Sequence, residues 1–265
     1  MQSSLETKRA LIVVRTYPIP AKSGVEVSCT AAITNKGEWL RLFPVPYRRL
    51  DWHKRFRKYQ WVEIGVTKAR KDYRPESYKL DHNSIKILTE PLPTTNDWRE
   101  RKAIIFPLKR HCLCCIQKER DEHGHPTLGI FRPKIIERLL IKPVSATWTQ
   151  SQLSTLRQGH LWEEPPTEEL EKIPYDFIYQ FRCDESTCNG HTMKCTDWEM
   201  GQSWRKWSRE YGKDWEAAFR QKYETEMTER FDTHFYVGTV HRHPKTWILV
   251  GLFYPPKPKD TALFD

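Results

Sequence analysis

The sequence predicts a mixed α+β protein: a mainly β N-terminal part, barrel-like or a curved sheet with inserted helices, then a ββαββ C-terminal part carrying a Cys/His knuckle. Three observations predict it. Residues 1–90 hold four or five short β-rich runs separated by Pro, Gly and Asn turn signals. Residues 202–230 place Trp204, Trp207, Tyr211, Trp215, Ala218, Phe219, Tyr223 and Met227 on one helical stripe. Between them, Cys183, Cys188, His191 and Cys195 read C-x4-C-x2-H-x3-C across an Asn189-Gly190 turn. Metal ligands take such close spacing because each needs a fixed direction of approach.

The elements follow in order. Residues 8–16 (KRALIVVRT) are a continuous apolar run stopped by Pro18 and Pro20, the pattern of a buried strand. Residues 25–34 and 38–43 flank Asn35-Lys36-Gly37 and read as a hairpin. After Pro44 and Pro46, residues 47–60 are expected to form a helix, with Trp52, Phe56 and Tyr59 on one arc and Lys54, Arg55, Arg57 and Lys58 on the other. Residues 59–69 and 84–88 return to strand character around a turn at 72–77, and a proline-rich loop follows at 91–96. This succession suits a small barrel.

Residues 107–123 have helical character and contain Cys112, Cys114 and Cys115. Cys112, Cys115 and Ile116 share a face and read as buried small hydrophobes, with metal ligation as the open alternative. Two short apolar stretches at 127–141 precede a helix at 149–157. A boundary near residue 145 then divides a basic, mainly β domain (1–145) from an α+β domain (146–265). In the second part, strands at 175–182 and 192–198 bracket the knuckle, Gly212 interrupts the long helix, and strands at 233–240 and 246–254 form a last hairpin.

Charge is unevenly placed. The chain carries a formal +10, and residues 1–75, with 16 Lys+Arg against 6 Asp+Glu, account for the whole excess; the rest holds 28 of each. A basic field confined to one third of the chain suits a polyanion-binding face. The expected contacts are Arg41, Arg48, Arg49, Lys54, Arg55, Arg57 and Lys58, with bases stacking on the interleaved aromatics. The expected partner is nucleic acid, DNA or RNA, in processing, repair or defence. No apolar run approaches the roughly 20 residues of a membrane span, and the start of the chain lacks a signal-peptide pattern, so a cytoplasmic protein without membrane contact is expected. Seven cysteines in such a compartment are better read as ligands or buried hydrophobes than as a disulfide framework.

Zinc is the expected metal, with Cys183, Cys188, His191 and Cys195 as a closed ligand set. Because Cys195 sits in a strand and can face the core, Cys114 or Cys115 is the alternative fourth ligand. A second reading makes the protein an enzyme. Asp197 and Glu199 share a strand face at i, i+2, and with His191 and magnesium they compose the working parts of a nuclease. The competing role for these acids is to cap the following helix. His234, His241 and His243 around the last hairpin offer metal-free acid–base cleavage instead. A third reading is an adaptor subunit whose basic face binds an acidic protein. The chain has no Gly-rich phosphate loop, no G-x-S-x-G elbow and no H-E-x-x-H helix, which disfavours ATPase, α/β-hydrolase and zincin chemistry.

Overall fold

The computed structural model describes residues 4–21, 25–158 and 169–258. The apolar run near the start becomes β1 (Glu6–Arg15), a strand buried on both faces. Ala10 and Ile12 point into a barrel, while Leu11 and Val13 join a second core outside it. Burial on both sides removes the polar alternation, which is why the run reads LIVV.

β1 pairs antiparallel with β3 (Val25–Thr34) and with β5 (Trp61–Lys68). β3 and β4 (Trp39–Val45) form the expected hairpin, with Gly37 at φ 76° in its turn. β5 pairs antiparallel with β6 (Ser77–Ile87), and β6 runs parallel to β4, which closes a five-stranded barrel. The short β2 (Ile19–Ala21) adds to β3 outside the circuit. Numbered within the barrel, the strands run 1-2-3-5-4-1 with the third and fifth parallel, a Greek-key barrel of the OB type.

Residues 47–60 do not form the expected helix. They make two single 3-10 turns, Tyr47–Arg49 and Trp52–Lys54, joined through an extended Leu50. Leu50 and Phe56 plug the end of the barrel, and Tyr59 is also buried. The break at Leu50 resets the phase of the turns, so Trp52 leaves the expected arc and stands 83% exposed.

A seven-stranded sheet follows, built from β7 (Lys109–Arg110), β8 (Leu128–Phe131), β9 (Ile135–Pro143), β10 (Tyr175–Arg182), β11 (His191–Cys195), β12 (His234–Val240) and β13 (His243–Phe253). Its order is β7-β8-β12-β13-β11-β10-β9. The expected boundary near 145 therefore falls inside this sheet. β8 pairs with β12 and β9 with β10, so the change from barrel to sheet lies between Ile87 and Lys109, and α1 (Thr95–Ile105) crosses it. Local composition carried no sign of that long-range pairing.

One face of the sheet packs on α2 (Leu113–His123), α4 (Trp198–Tyr211) and α5 (Trp215–Arg220), where Trp204, Trp215, Phe219 and Tyr223 meet Phe177, Tyr179 and Phe181. Gly212, at φ 57°, breaks the helical stripe where expected, and a π-helical turn (Gln221–Glu226) carries it on. α3 (Gln150–Gln158) lies against β2. The other face packs on the barrel, with Tyr236, Val250 and Phe253 against Leu11, Val13 and Ile33. The layers are barrel, sheet and helices. Among the described residues no helix is long and apolar enough to cross a membrane.

The barrel surface facing the sheet has a functional consequence. OB barrels bind ligands on their second and third strands and on the loops after their first and fourth. Here Trp39 meets Tyr236 edge-on at 6.1 Å, Arg74 donates to the Thr239 carbonyl at 2.7 Å, Tyr73 stacks on His241, and the Tyr17 N–H donates to the Thr196 carbonyl at 2.8 Å. That surface is an internal interface in this protein.

Gly201 in α4 shows how tightly the interface is packed. A Cβ there would stand 2.3 Å from Cδ2 of Tyr17, a ring anchored by its hydroxyl donating to the Glu171 carbonyl at 2.8 Å. Gly201→Ala is expected to destabilise by about 1–3 kcal/mol, read as a lower urea midpoint. An unchanged midpoint would show that the ring moves aside freely.

Candidate functional site

β10 leaves the sheet at Arg182, and the chain turns through Cys183 and Cys188, where the Cys188 N–H donates to the Glu185 carbonyl at 3.0 Å. Gly190, at φ 90°, then directs the chain into β11, which starts at His191. A second element meets this knuckle. Cys112 caps α2, its Sγ accepting from the Cys115 N–H at 3.0 Å, and the first helical turn brings Cys114 to the knuckle. The Sγ atoms of Cys114, Cys183 and Cys188 and a ring nitrogen of His191 all lie within 4.8 Å of one another, with Cys114 Sγ 3.2 Å from His191 Nε2. A tetrahedral ion with metal–sulfur bonds near 2.3 Å spaces its ligands about 3.8 Å apart. The group can hold a metal ion.

Neighbouring contacts fix the ligands. Phe181 stacks on the His191 ring at 5.1 Å, His111 Nε2 bonds the Asp184 carbonyl at 2.9 Å, and Lys134 pairs with Asp184 at 2.8 Å. Burial, reinforced by the adjoining Cys183 and Cys188, pushes the Cys114 thiol up to about 12. Burial works the same way on Cys188, but the backbone N–H groups of Cys183 and Gly190 outweigh it and hold that thiol below its ordinary value. A bound cation would deprotonate all three thiols outright.

Cys195 lies outside this group. His191, Met193 and Cys195 share one face of β11, but four residues of strand separate the first from the last by about 13 Å, and the Cys195 thiol is 3% exposed in the core. Cys114 takes the fourth place. Cys115 instead forms a disulfide with Cys112, and Cys112 and Ile116 are buried as expected.

Residues 109–265 match the family described as Domain of unknown function (DUF8757). The chain belongs to that family. Residues 6–107 match Domain of unknown function (DUF8758), and the two matches meet where the barrel gives way to the seven-stranded sheet. All four residues of the Cys/His group lie within the DUF8757 match. No curated protein matches the chain.

Also within the DUF8757 match, Asp197 is 3% exposed and caps α4. Its Oδ1 accepts from the Glu199 N–H at 2.6 Å, and its Oδ2 accepts from the Leu252 N–H at 3.1 Å and lies 3.6 Å from Lys58 Nζ. Glu199 Oε2 is 3.2 Å from the same ammonium. Burial opposes charge on Lys58, and the two carboxylates outweigh it, holding the group well above its ordinary value. The structure thus joins Asp197, Glu199 and Lys58, while His191 sits at the other end of β11 in the Cys/His group. With both oxygens taken by backbone donors, Asp197 serves as a cap. The histidines of the last hairpin are also apart. His234 is fully buried, bonded to the Asp232 carbonyl, and pushed down to about 4 by burial; His241 bonds the Lys71 carbonyl at 3.0 Å; His243 is exposed.

Within the DUF8758 match, the expected cationic arc is largely neutralised. Arg41 is 2% exposed and pairs with Glu76 at 3.0 Å. Arg48 pairs with Glu26, Lys54 with Asp51, Arg57 with Glu90, and Lys58 with the two acids above. Arg55 donates to the Leu50 and Arg48 carbonyls at 2.8 and 2.9 Å, and Arg49 also has partners. Glu26 and Asp51 come from the same third of the chain, Glu76, Glu90, Asp197 and Glu199 from beyond it, and the turns supply carbonyls to Arg55.

Proposed function

We propose that the Cys/His group holds a structural zinc ion, and that the protein binds nucleic acid in the cytoplasm through the plug segment between the first and second halves of the barrel. Three thiolates and one imidazole form a closed set of the kind zinc takes in structural sites, leaving no open position for chemistry. Its role is to fasten α2 to the knuckle.

One observation carries the nucleic-acid reading: the exposed indole of Trp52, in a segment whose other large apolar groups, Leu50 and Phe56, are buried. An aromatic face beside Arg49, Lys54 and Arg55 offers stacking for a base and cations for the adjoining phosphates. With the usual OB surface covered, the exposed side of this segment is the contact the reading assigns to a strand. DNA or RNA processing, repair or defence are the settings such a contact suits.

Anisotropy with labelled single- and double-stranded DNA and RNA tests the reading. Trp52→Ala is expected to weaken binding by about 1–3 kcal/mol, and affinity should fall linearly on a log–log salt plot. Equal affinity of the variant, or a flat salt response, rejects the proposed face. Adding magnesium should leave the substrates intact; cleavage abolished by Glu199→Ala would favour the nuclease reading instead. Failure of every nucleic acid to bind would leave an acidic protein as the partner.

A further inference from the structure

Where the plugged barrel end, the start of α1 and the start of α4 meet, there is a pocket of about 450 Å³, within the roughly 300–1,000 Å³ of small-molecule sites. Two arginines line it without a counter-ion. The Arg15 guanidinium lies against the rings of both Tyr47 and Trp198, at 3.7 and 4.2 Å. Its Nη1 donates to the Phe56 carbonyl at 3.3 Å, and its Nε is buried with no hydrogen bond to any described residue. Arg101 is 8% exposed, lies over Tyr59 at 4.0 Å and Trp98 at 4.6 Å, and donates through both Nε and Nη2 to the Leu92 carbonyl, the former at 2.8 Å. Neither makes an ion pair with a described carboxylate.

That sets half-buried Arg15 and buried Arg101 apart from two other buried arginines. Arg41 pairs with Glu76 and Arg74 with Asp72, as buried charges require. Burial lowers both Arg15 and Arg101 below their ordinary values. Lys58 and Arg57 stand in the same wall, paired with Asp197 and Glu199 and with Glu90. Among the described residues Glu199 is the one carboxylate that lines the pocket, so cations outnumber acids there and an anion suits it.

Backbone strain marks the same place. Tyr59 and Trp98, both lining the pocket, sit at φ 68° and 62°, and Asn96 and Asp97 lead into Trp98 at 50° and 52°. Left-handed conformations are unusual for aromatic residues and persist at sites where geometry matters. The result here is an aromatic wall in which Trp98 stands 5.6 Å from Tyr254 and carries the Arg101 guanidinium on its face.

We propose that this pocket binds a nucleoside monophosphate unit, its phosphate on the N–H groups that Arg15 and Arg101 do not spend on the Phe56 and Leu92 carbonyls and its base against Trp98 and Tyr254. The unit is either a free nucleotide or the phosphorylated end of a strand. The choice of ring-bearing anion rests on the nucleic-acid reading, but Trp52 does not line the pocket, so the two sites can fail separately.

Calorimetry at low ionic strength with AMP, CMP, GMP, UMP, inorganic phosphate and adenosine tests it. At least one mononucleotide should bind tenfold or more tighter than phosphate or adenosine. Arg15→Met and Arg101→Met should each weaken it tenfold or more. Arg57→Glu, at an exposed rim position, should weaken it severalfold even where the buried variants fail to fold. No mononucleotide binding by the unaltered protein, phosphate binding as tightly as the nucleotides, or folded variants with full affinity each overturn the proposal. Competition by a 5′-phosphorylated but not a 5′-hydroxyl oligonucleotide would assign the strand end as the source; competition by free nucleotide alone would assign the soluble pool.

Discussion

Glu76→Gln is expected to destabilise the protein by about 3–5 kcal/mol, the usual consequence of leaving one partner of a buried pair uncompensated. Arg41 Nε and Nη2 donate to Glu76 Oε1 at 3.2 and 3.0 Å, Nη2 also reaches the Thr127 carbonyl at 2.8 Å, and the Thr127 hydroxyl donates to the same carboxylate oxygen. The network bridges the barrel, through β4 and the residue before β6, to the start of β8. Its carboxylate is therefore the counter-charge for a guanidinium sealed between the layers. Double replacement, Arg41→Met with Glu76→Leu, removes both charges and should restore most of the loss. Urea midpoints on the two variants decide the point: a single variant within 1 kcal/mol of the unaltered protein would mean that water reaches Arg41 between the layers.

Metal removal is the second large expected effect. A preformed site is absent from the unfolded chain, so metal affinity is folding free energy. Chelation should lower the melting temperature on the order of 10 °C, which at roughly 2–4 °C per kcal/mol for a chain of this size corresponds to several kcal/mol. Hydrogen exchange should place the loss at the knuckle and the first turn of α2, with barrel strands β3 and β4 protected as before. Readdition of zinc should reverse it. A melting temperature indifferent to chelator would leave the four side chains as a packed cluster without a stabilising ion.

Much of the fold was legible in the sequence because its signals are local. The two-sided burial of β1, the Asn-Lys-Gly hairpin, β10, the Gly212 break and the buried aromatic stripe each follow from a run of adjacent residues. Three of the four ligands were legible for the same reason, since Cys183, Cys188 and His191 surround one turn. Cys114 comes from a helix far upstream. Its signal was that it lies off the buried face shared by Cys112, Cys115 and Ile116, a weaker cue than the spacing that favoured Cys195. The pairing within the basic arc was not legible because a charge count says nothing of it: Arg41, Arg48 and Lys58 each meet an acid, the last one supplied by α4. Arg15 and Arg101 were illegible as a pair, being brought together only when the barrel end packs against α1 and α4.

The central claim is that four side chains from two distant segments share one ion, and elemental analysis tests it on three purified proteins. The unaltered chain and Cys195→Ser should each carry about one zinc, and Cys114→Ser should carry far less. Loss of metal from Cys195→Ser with retention in Cys114→Ser, or no metal in the unaltered chain, would contradict it.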